Sequence, residues 1–152
     1  MRVHVDQTED SALKRVYKHL PEEEATRLLK LPSQRVRIIN VWRPIANPVA
    51  HSPLAVADWR SVEHKRDLIV TRKILREGEG EGGTYNVRHH EAHMWYYLRD
   101  MTPEECVLVK CSDTKEGVAK MCLHTAFVDD SSPKDAPRRQ SIEVRCLVFD
   151  AE

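Results

Sequence analysis

The feature that most constrains this fold is a series of short apolar runs, separated by turn residues, that continues from residue 35 almost to the end of the chain. Some of the runs alternate polar and apolar side chains, which is the period of a β-strand with one buried face. Few helical patterns interrupt them, so we expect an antiparallel β-sandwich or a partly open barrel. The predicted strands are 35–42, 68–75, 85–87, 93–97, 106–111, 119–127 and 140–149.

The start of the chain has a helical pattern instead. A helix is predicted over residues 8–19, and Thr8 or Asp10 can cap its first turn. A second helix is predicted to begin at Pro21, with three glutamates in its first turn, and to end at Pro32. The sequence therefore predicts a mainly β fold with N-terminal helices.

The segment 76–83 holds four of the five glycines of the chain. It has no strand, glycine-rich turn and helix in succession around it, which a phosphate-binding loop needs, and its glutamates would repel a phosphate. We interpret it as a solvated hairpin loop. With 152 residues, the chain is predicted to form a single domain over 1–152.

The charge balance excludes some classes of partner. Lys and Arg number 24, and Asp and Glu also number 24, so no basic field attracts nucleic acid. No apolar run approaches the roughly 20 residues of a membrane span, and the first ten residues are too polar for a signal peptide. The four cysteines form no CxxC pair and are expected to be free thiols. We expect a cytoplasmic protein.

A histidine and an aspartate two positions apart, His4 and Asp6, lie in a short extended segment at residues 2–6. On a strand, residues i and i+2 point to the same face, so an imidazole and a carboxylate can bind one metal ion. They would supply two of the three ligands of a two-histidine, one-carboxylate site. A pair of this kind also arises by chance, and both interpretations stay open.

A second imidazole comes from a later strand. An acidic turn at 103–105, an apolar run and a polar turn lead into the predicted strand 119–127, which contains His124. A neighbouring strand could place this histidine beside the first pair. A lone histidine in a strand is also a common core residue, so its role as a ligand is one of two alternatives.

The last predicted strand opens with Arg139 and Ser141, which share one face by the same period. A guanidinium fits a carboxylate with paired hydrogen bonds, and a hydroxyl can add one more. Glu143 and Arg145 share that face, so an internal ion pair is the structural alternative. Arg145 is also an alternative to Arg139 as the group that anchors a carboxylate.

The order of these motifs, together with several longer strings, resembles the fungal hydroxylase/desaturase family of Fe(II)- and 2-oxoglutarate-dependent oxygenases. Gibberellin desaturase belongs to that family, and the bacterial cephalosporin methoxylation protein is similar to it. The resemblance covers nearly the whole chain. Its strings are Asn-Val-Trp-Arg-Pro at 40–44, Pro-Leu-Ala-Val at 53–56, His89 and His93 with Trp-Tyr-Tyr at 95–97, His-Thr-Ala-Phe at 124–127 and the run 139–149.

The resemblance implies a double-stranded β-helix (jelly-roll) core and a complete cofactor set. Fe(II) would be held by His4, Asp6 and His124. The cosubstrate 2-oxoglutarate would be anchored by Arg139 and Ser141, and O2 would be the oxidant. Longer relatives carry a segment upstream of the metal motif, so we expect this chain to match their C-terminal part and its core to be incomplete.

The resemblance also implies the reaction and the partners. The substrate would be a small organic molecule of secondary metabolism that is hydroxylated or desaturated, and the sequence does not distinguish these two outcomes. Its pocket would be lined by Trp42, Arg43, His89, His93 and Trp95. A second copy of the chain is a candidate partner. The rival hypothesis is a truncated, catalytically inactive β-fold domain for binding or scaffolding.

Overall fold

The computed structural model describes residues 1–30, 35–74 and 81–150, and all structural statements concern these ranges. Two helices precede most of the strands, and no helix in these ranges has the length and apolar content needed to cross a bilayer. The elements in chain order are β1 (His4–Val5), α1 (Glu9–His19), α2 (Glu22–Lys30), β2 (Val36–Pro44), β3 (Leu54–Ala57), a 3-10 turn (Trp59–Ser61), α3 (His64–Asp67), β4 (Leu68–Ile74), β5 (Glu81–Val87), β6 (Trp95–Tyr97), β7 (Val107–Asp113), β8 (His124–Ala126) and β9 (Ser141–Phe149).

The strands form two sheets. The larger has the order β4-β5-β1-β8-β3-β6 and the smaller has the order β7-β2-β9. Every pairing between described strands is antiparallel. The prediction of a mainly β, antiparallel fold with helices at its start is therefore confirmed. We call the two layers the six-stranded sheet and the three-stranded sheet.

Helix α1 begins where the sequence predicted. The Thr8 side chain accepts a hydrogen bond from the Ser11 N–H at 3.3 Å, which is the N-cap interaction. Val16 of α1 and Ala25 of α2 are fully buried. They pack against Val36 of β2, with Leu147 and other apolar side chains of β9 around them. The two helices thus cover one end of the three-stranded sheet.

Several element boundaries differ from the predictions. No strand was predicted between residues 42 and 68, yet β3 forms directly after Pro53. The predicted strand 119–127 shortens to three residues in β8. Residues 81–83, predicted as loop, belong to β5. The rest of that predicted loop, like Pro32, lies outside the described residues.

The three-stranded sheet has a buried face and an open face. Val36, Ile38, Asn40 and Trp42 alternate inward along β2, and all four are buried. On β9 the apolar residues that alternate with Ser141, Glu143 and Arg145 are expected to pack, but they are more exposed. Ile142 and Val144 are 50% and 53% exposed. The alternation along β9 was predicted correctly, but the side carrying these two residues faces away from the described part of the protein.

A buried carboxylate fastens α3 to the loop before β6. Asp67 is fully buried and accepts hydrogen bonds from Arg66 Nε at 2.6 Å and Arg66 Nη2 at 2.9 Å. Its Oδ2 also lies 2.9 Å from His93 Nε2 and accepts the Glu63 N–H at 2.9 Å. These hydrogen bonds, that from Arg66 above all, lower the pKa of Asp67 far below its ordinary value against the effect of burial.

Replacing Asp67 with asparagine should therefore destabilise the fold at neutral pH by about 3 kcal/mol, because a buried ion pair loses one partner. A carboxyl whose pKa is lowered by folding stabilises the protein above its unfolded pKa of about 3.9, and this contribution is lost as the pH falls. Urea unfolding of both proteins should show a difference at pH 7 that shrinks below about pH 4. The exposed Asp130→Asn is the matched control. An Asp67→Asn protein as stable as wild type at pH 7 would contradict this account.

Candidate metal centre

Strand β1 brings the first two predicted ligands into the middle of the six-stranded sheet. It lies between β5 and β8, and His4 pairs directly with His124 of β8. Residues opposite each other in an antiparallel pair point to the same face, so both imidazoles lie on one side of the sheet. Their ring centroids are 4.5 Å apart. Asp6, two residues after His4, returns to that side.

These three side chains, which we call the triad, converge on one point. Asp6 Oδ1 lies 3.4 Å from His4 Nε2 and 3.9 Å from His124 Nε2. The three ligand atoms all lie within 4.8 Å of one another. Ligands about 2.1 Å from one metal ion lie up to about 4.2 Å apart, so both distances to the carboxylate fit a single ion. Two imidazoles and one carboxylate are the donor set that leaves open positions on iron.

Backbone carbonyls orient both imidazoles as metal ligands. His4 Nδ1 lies 3.0 Å from the carbonyl oxygen of Arg2, and His124 Nδ1 lies 3.0 Å from that of Cys122. Because a carbonyl oxygen can only accept, each Nδ1 must carry the proton. Each Nε2 then has a lone pair directed at the centre of the triad, as in metal sites whose histidines donate their other N–H to a fixed acceptor.

The electrostatic environment favours metal-binding protonation states at Asp6 and His124. Burial by itself would raise the pKa of Asp6, but the hydrogen bond with His4 and the charges of His124 and Arg145 hold it well below its ordinary value. The interaction with Asp6 raises the pKa of His4, whereas burial lowers the pKa of His124. The carboxylate is therefore ionised and His124 neutral at pH 7, as ligation requires.

A cavity of about 400 Å³ opens beside the triad, between the two sheets. Arg139 and Trp42 line it, and the Arg139 guanidinium carbon lies 5.6 Å from the Trp42 ring centroid. Nη1 of Arg139 donates to the backbone carbonyl of Ser52 at 2.5 Å. Burial lowers the pKa of Arg139, and no carboxylate of the described residues forms an ion pair with it. Its guanidinium can therefore accept an anion that enters the cavity.

The structure separates Arg139 from its alternative, Arg145. Arg145 Nη2 donates to Asp6 Oδ2 at 2.9 Å, and its Nε donates to Asn40 Oδ1 at 3.0 Å. The Arg145 guanidinium is therefore already engaged by the carboxylate of the triad. The alternative of an Arg145–Glu143 pair is weaker, since those two groups are 4.0 Å apart.

Sequence reasoning missed the role of Asn40. This residue is fully buried, and its amide nitrogen donates to Asp6 Oδ2 at 2.6 Å and to Glu143 Oε1 at 2.8 Å. A signal was present, because Asn40 interrupts the inward apolar row of β2. A buried amide in such a row needs hydrogen-bond partners, which marks it as part of a polar site.

Two further predicted residues lie apart from the cavity lining. Ser141 begins β9 opposite Pro44, and its hydroxyl has no hydrogen-bond partner among the described residues. Arg43 is exposed, and its Nε donates to the adjacent Pro44 carbonyl at 3.1 Å. Neither residue lines the cavity beside the triad, whereas the neighbouring Trp42 does.

His89 and His93, in the loop before β6, line another cavity, of about 460 Å³, together with Trp95. Strand register places Ala55, which also lines it, on the face of the six-stranded sheet opposite the triad, because it is Val56 that pairs with His124. The structure therefore does not bring His89, His93 and Trp95 into one pocket with Trp42. The physical reason is the two-residue period, which turns neighbouring positions of β8 to opposite faces.

The fold and the triad together define a β-rich protein with a two-histidine, one-carboxylate group that could hold a metal ion. A family model described as "YDMC: Oxidoreductase/YMDC permease-like domain" matches residues 1–149. Hydroxylase/desaturase efuI of Hormonema carpetanum is 41% identical over 159 residues, covering 98% of this chain and 51% of that protein. The chain belongs to the fungal hydroxylase/desaturase family of Fe(II)- and 2-oxoglutarate-dependent oxygenases.

Two further matches cover most of this chain. Aspirochlorine biosynthesis protein N of Aspergillus oryzae is 46% identical over 139 residues, covering 91% of this chain and 56% of that protein. A solved structure titled iron and alpha-ketoglutarate-dependent endoperoxidase NvfI superposes with a TM-score of 0.88 at 36% identity. The match covers 99% of this chain and 54% of that one. The chain thus spans about half the length of the relatives it matches.

Proposed function

We propose that this protein is an Fe(II)- and 2-oxoglutarate-dependent oxygenase that hydroxylates or desaturates a small organic molecule of secondary metabolism. The observation that carries the proposal is the convergence of His4, Asp6 and His124 on one point beside a cavity that also holds Arg139. The names of the relatives support the same cofactors, since one is called an Fe(II)/2-oxoglutarate-dependent dioxygenase.

Each part of the site has a distinct role in this proposal. The Nε2 atoms of His4 and His124, with one oxygen of Asp6, hold the iron, and Arg139 binds the far carboxylate of 2-oxoglutarate. Ser141 stays a predicted further donor to that carboxylate, although it does not line the cavity in this structure. Iron, cosubstrate and O2 supply the oxidising chemistry when bound. The chain's own contribution is to position them and to exclude water, with Trp42 and Leu54 as apolar parts of the cavity wall.

The proposal also covers the fold type and the extent of the domain. The triad and Arg139 lie between the two sheets, as expected for the two walls of a double-stranded β-helix, and we propose that residues 1–152 form one domain of this type. A TM-score of 0.88 to a solved iron and alpha-ketoglutarate-dependent enzyme supports it. The substrate is expected to enter the cavity beside the triad, so Trp42 is the best supported of the predicted pocket residues.

The rival hypothesis is a binding or scaffolding domain without turnover. The two hypotheses differ in a simple assay. Purified chain is mixed with Fe(II), ascorbate, 2-oxoglutarate and O2, and succinate is measured without added substrate. We expect slow succinate formation that stops when a chelator is added or Fe(II) is omitted. A chain that neither retains Fe(II) nor forms succinate would support the scaffold.

A further inference from the structure

A group of polar side chains surrounds the oxygen of Asp6 that faces away from the imidazoles. Oδ2 accepts hydrogen bonds from Asn40 Nδ2 at 2.6 Å and from Arg145 Nη2 at 2.9 Å, and the Cys111 Sγ lies 3.6 Å away. Oδ1, by contrast, has the two imidazole Nε2 atoms as its neighbours. The two oxygens of this carboxylate therefore have separate environments.

The donors on Oδ2 are themselves fixed. Arg145 Nε donates to Asn40 Oδ1 at 3.0 Å, so the nitrogen of that amide must be the atom that faces Asp6. The same nitrogen donates to Glu143 Oε1 at 2.8 Å. The Cys111 thiol is buried and lies within donor distance of Oδ2. The donors from Asn40 and Arg145 are thus held around Oδ2 by their hydrogen bonds to each other and to Glu143.

We infer that Arg145 and Asn40 are positioning residues that hold Asp6 as a metal ligand through Oδ1 alone. The inference rests on the proposed metal site. If both carboxylate oxygens bound the ion, one of the positions that a two-histidine, one-carboxylate site leaves open would be filled. Donors that occupy Oδ2 keep that position free for the cosubstrate or for O2, and they also fix the direction of Oδ1.

This role distinguishes Arg145 from Arg139, although both are arginines near the same cavity. Arg139 is available to an incoming carboxylate, whereas both donor sides of Arg145 contact groups of the protein itself. A change at Arg145 should therefore act on the metal ion, and a change at Arg139 on the cosubstrate. This difference makes the inference testable without turnover.

The test uses Co(II) as a visible substitute for Fe(II), followed by its absorption spectrum during titration of the full chain. In Arg145→Met, Co(II) affinity should fall about 10–100-fold, the usual effect of losing a partner of a metal ligand, and the spectrum should change as Oδ2 becomes free to coordinate. Arg145→Lys keeps the positive charge but loses the planar set of N–H donors of the guanidinium. Its Co(II) affinity should lie between those of wild type and Arg145→Met. The exposed Arg27→Met, on α2, is the matched control and should bind as wild type does.

The outcomes separate the inference from the proposed function. Wild-type affinity and spectrum in both Arg145 variants, with Co(II) bound by the wild type, would overturn the positioning role and leave the metal site intact. A wild-type chain that binds no Co(II) would overturn both. Lower affinity for 2-oxoglutarate in Co(II)-loaded Arg145→Lys, with the spectrum unchanged, would show that Arg145 anchors the cosubstrate instead. Circular dichroism of each metal-free variant establishes that the comparison concerns folded protein.

Discussion

Replacing His124 with alanine is expected to abolish metal binding and succinate formation together. His124 is the ligand contributed by β8, and its side chain is only 6% exposed. The other histidine of the triad, His4, is already a ligand and cannot take its place. Loss of a partner that merely orients a ligand lowers metal affinity about 10–100-fold, so loss of the ligand itself should cost more than about 100-fold. Fe(II) or Co(II) titration and the succinate assay measure the two effects.

The control for this experiment is His19→Ala, which removes an exposed histidine at the end of α1. It should bind metal and form succinate as the wild type does. Circular dichroism must show that His124→Ala remains folded, because the substitution also removes a buried ring. If the folded variant binds Fe(II) within a few-fold of wild type, the metal lies elsewhere and the proposed centre is wrong.

Replacing Arg139 with alanine should have the second large effect, and a different one. Metal affinity should be nearly unchanged, while the affinity for 2-oxoglutarate should fall by about 30-fold to a few thousand-fold. Removing one partner of a buried, hydrogen-bonded charge pair costs about 2–5 kcal/mol, which corresponds to that range. Binding of 2-oxoglutarate to the Co(II)-loaded chain, followed by absorption or calorimetry, measures the loss separately from turnover.

The neighbouring residue provides a close control for charge. Arg138 is exposed, so Arg138→Ala removes the same charge one position away and should leave cosubstrate affinity unchanged. Arg139→Lys should recover part of the affinity, since an ammonium keeps the charge but cannot form the paired hydrogen bonds. Equal cosubstrate affinity in Arg139→Ala and wild type would exclude Arg139 as the anchor.

The two variants together distinguish the oxygenase from the scaffold. An oxygenase loses turnover in both, through metal in one and through cosubstrate in the other. A scaffold forms no succinate at any stage and is indifferent to both substitutions.

Local sequence signals predicted much of the fold. The cap at Thr8, the period of β2 and the two-residue spacing of His4 and Asp6 depend on a few adjacent residues, and the structure contains all three features. These features follow from steric preferences of the backbone and from hydrogen bonds within one element. Strand β3 was missed because Pro44, Pro48 and Pro53 come before it, and these prolines are a stronger local signal than the four apolar residues of the strand.

The site needed contacts that are distant in the chain. The two-residue period of β8 predicts that His124 and Thr125 point to opposite faces, but it does not predict which strand lies beside them. Insertion of β1 between β5 and β8 places His4 opposite His124. His93, in the loop before β6, lines the other cavity.

By itself, then, the sequence determined a β-rich chain with two leading helices, the family resemblance and the identity of three candidate ligands. Only the tertiary structure decided that Arg145 contacts Asp6 while Arg139 remains open to the cavity, and that Asn40 belongs to the site. Both arginines carry the same charge, and the two-residue period places both on one face, so no local rule separates them. Their roles differ because the packing of the two sheets places a carboxylate beside one guanidinium and a cavity beside the other.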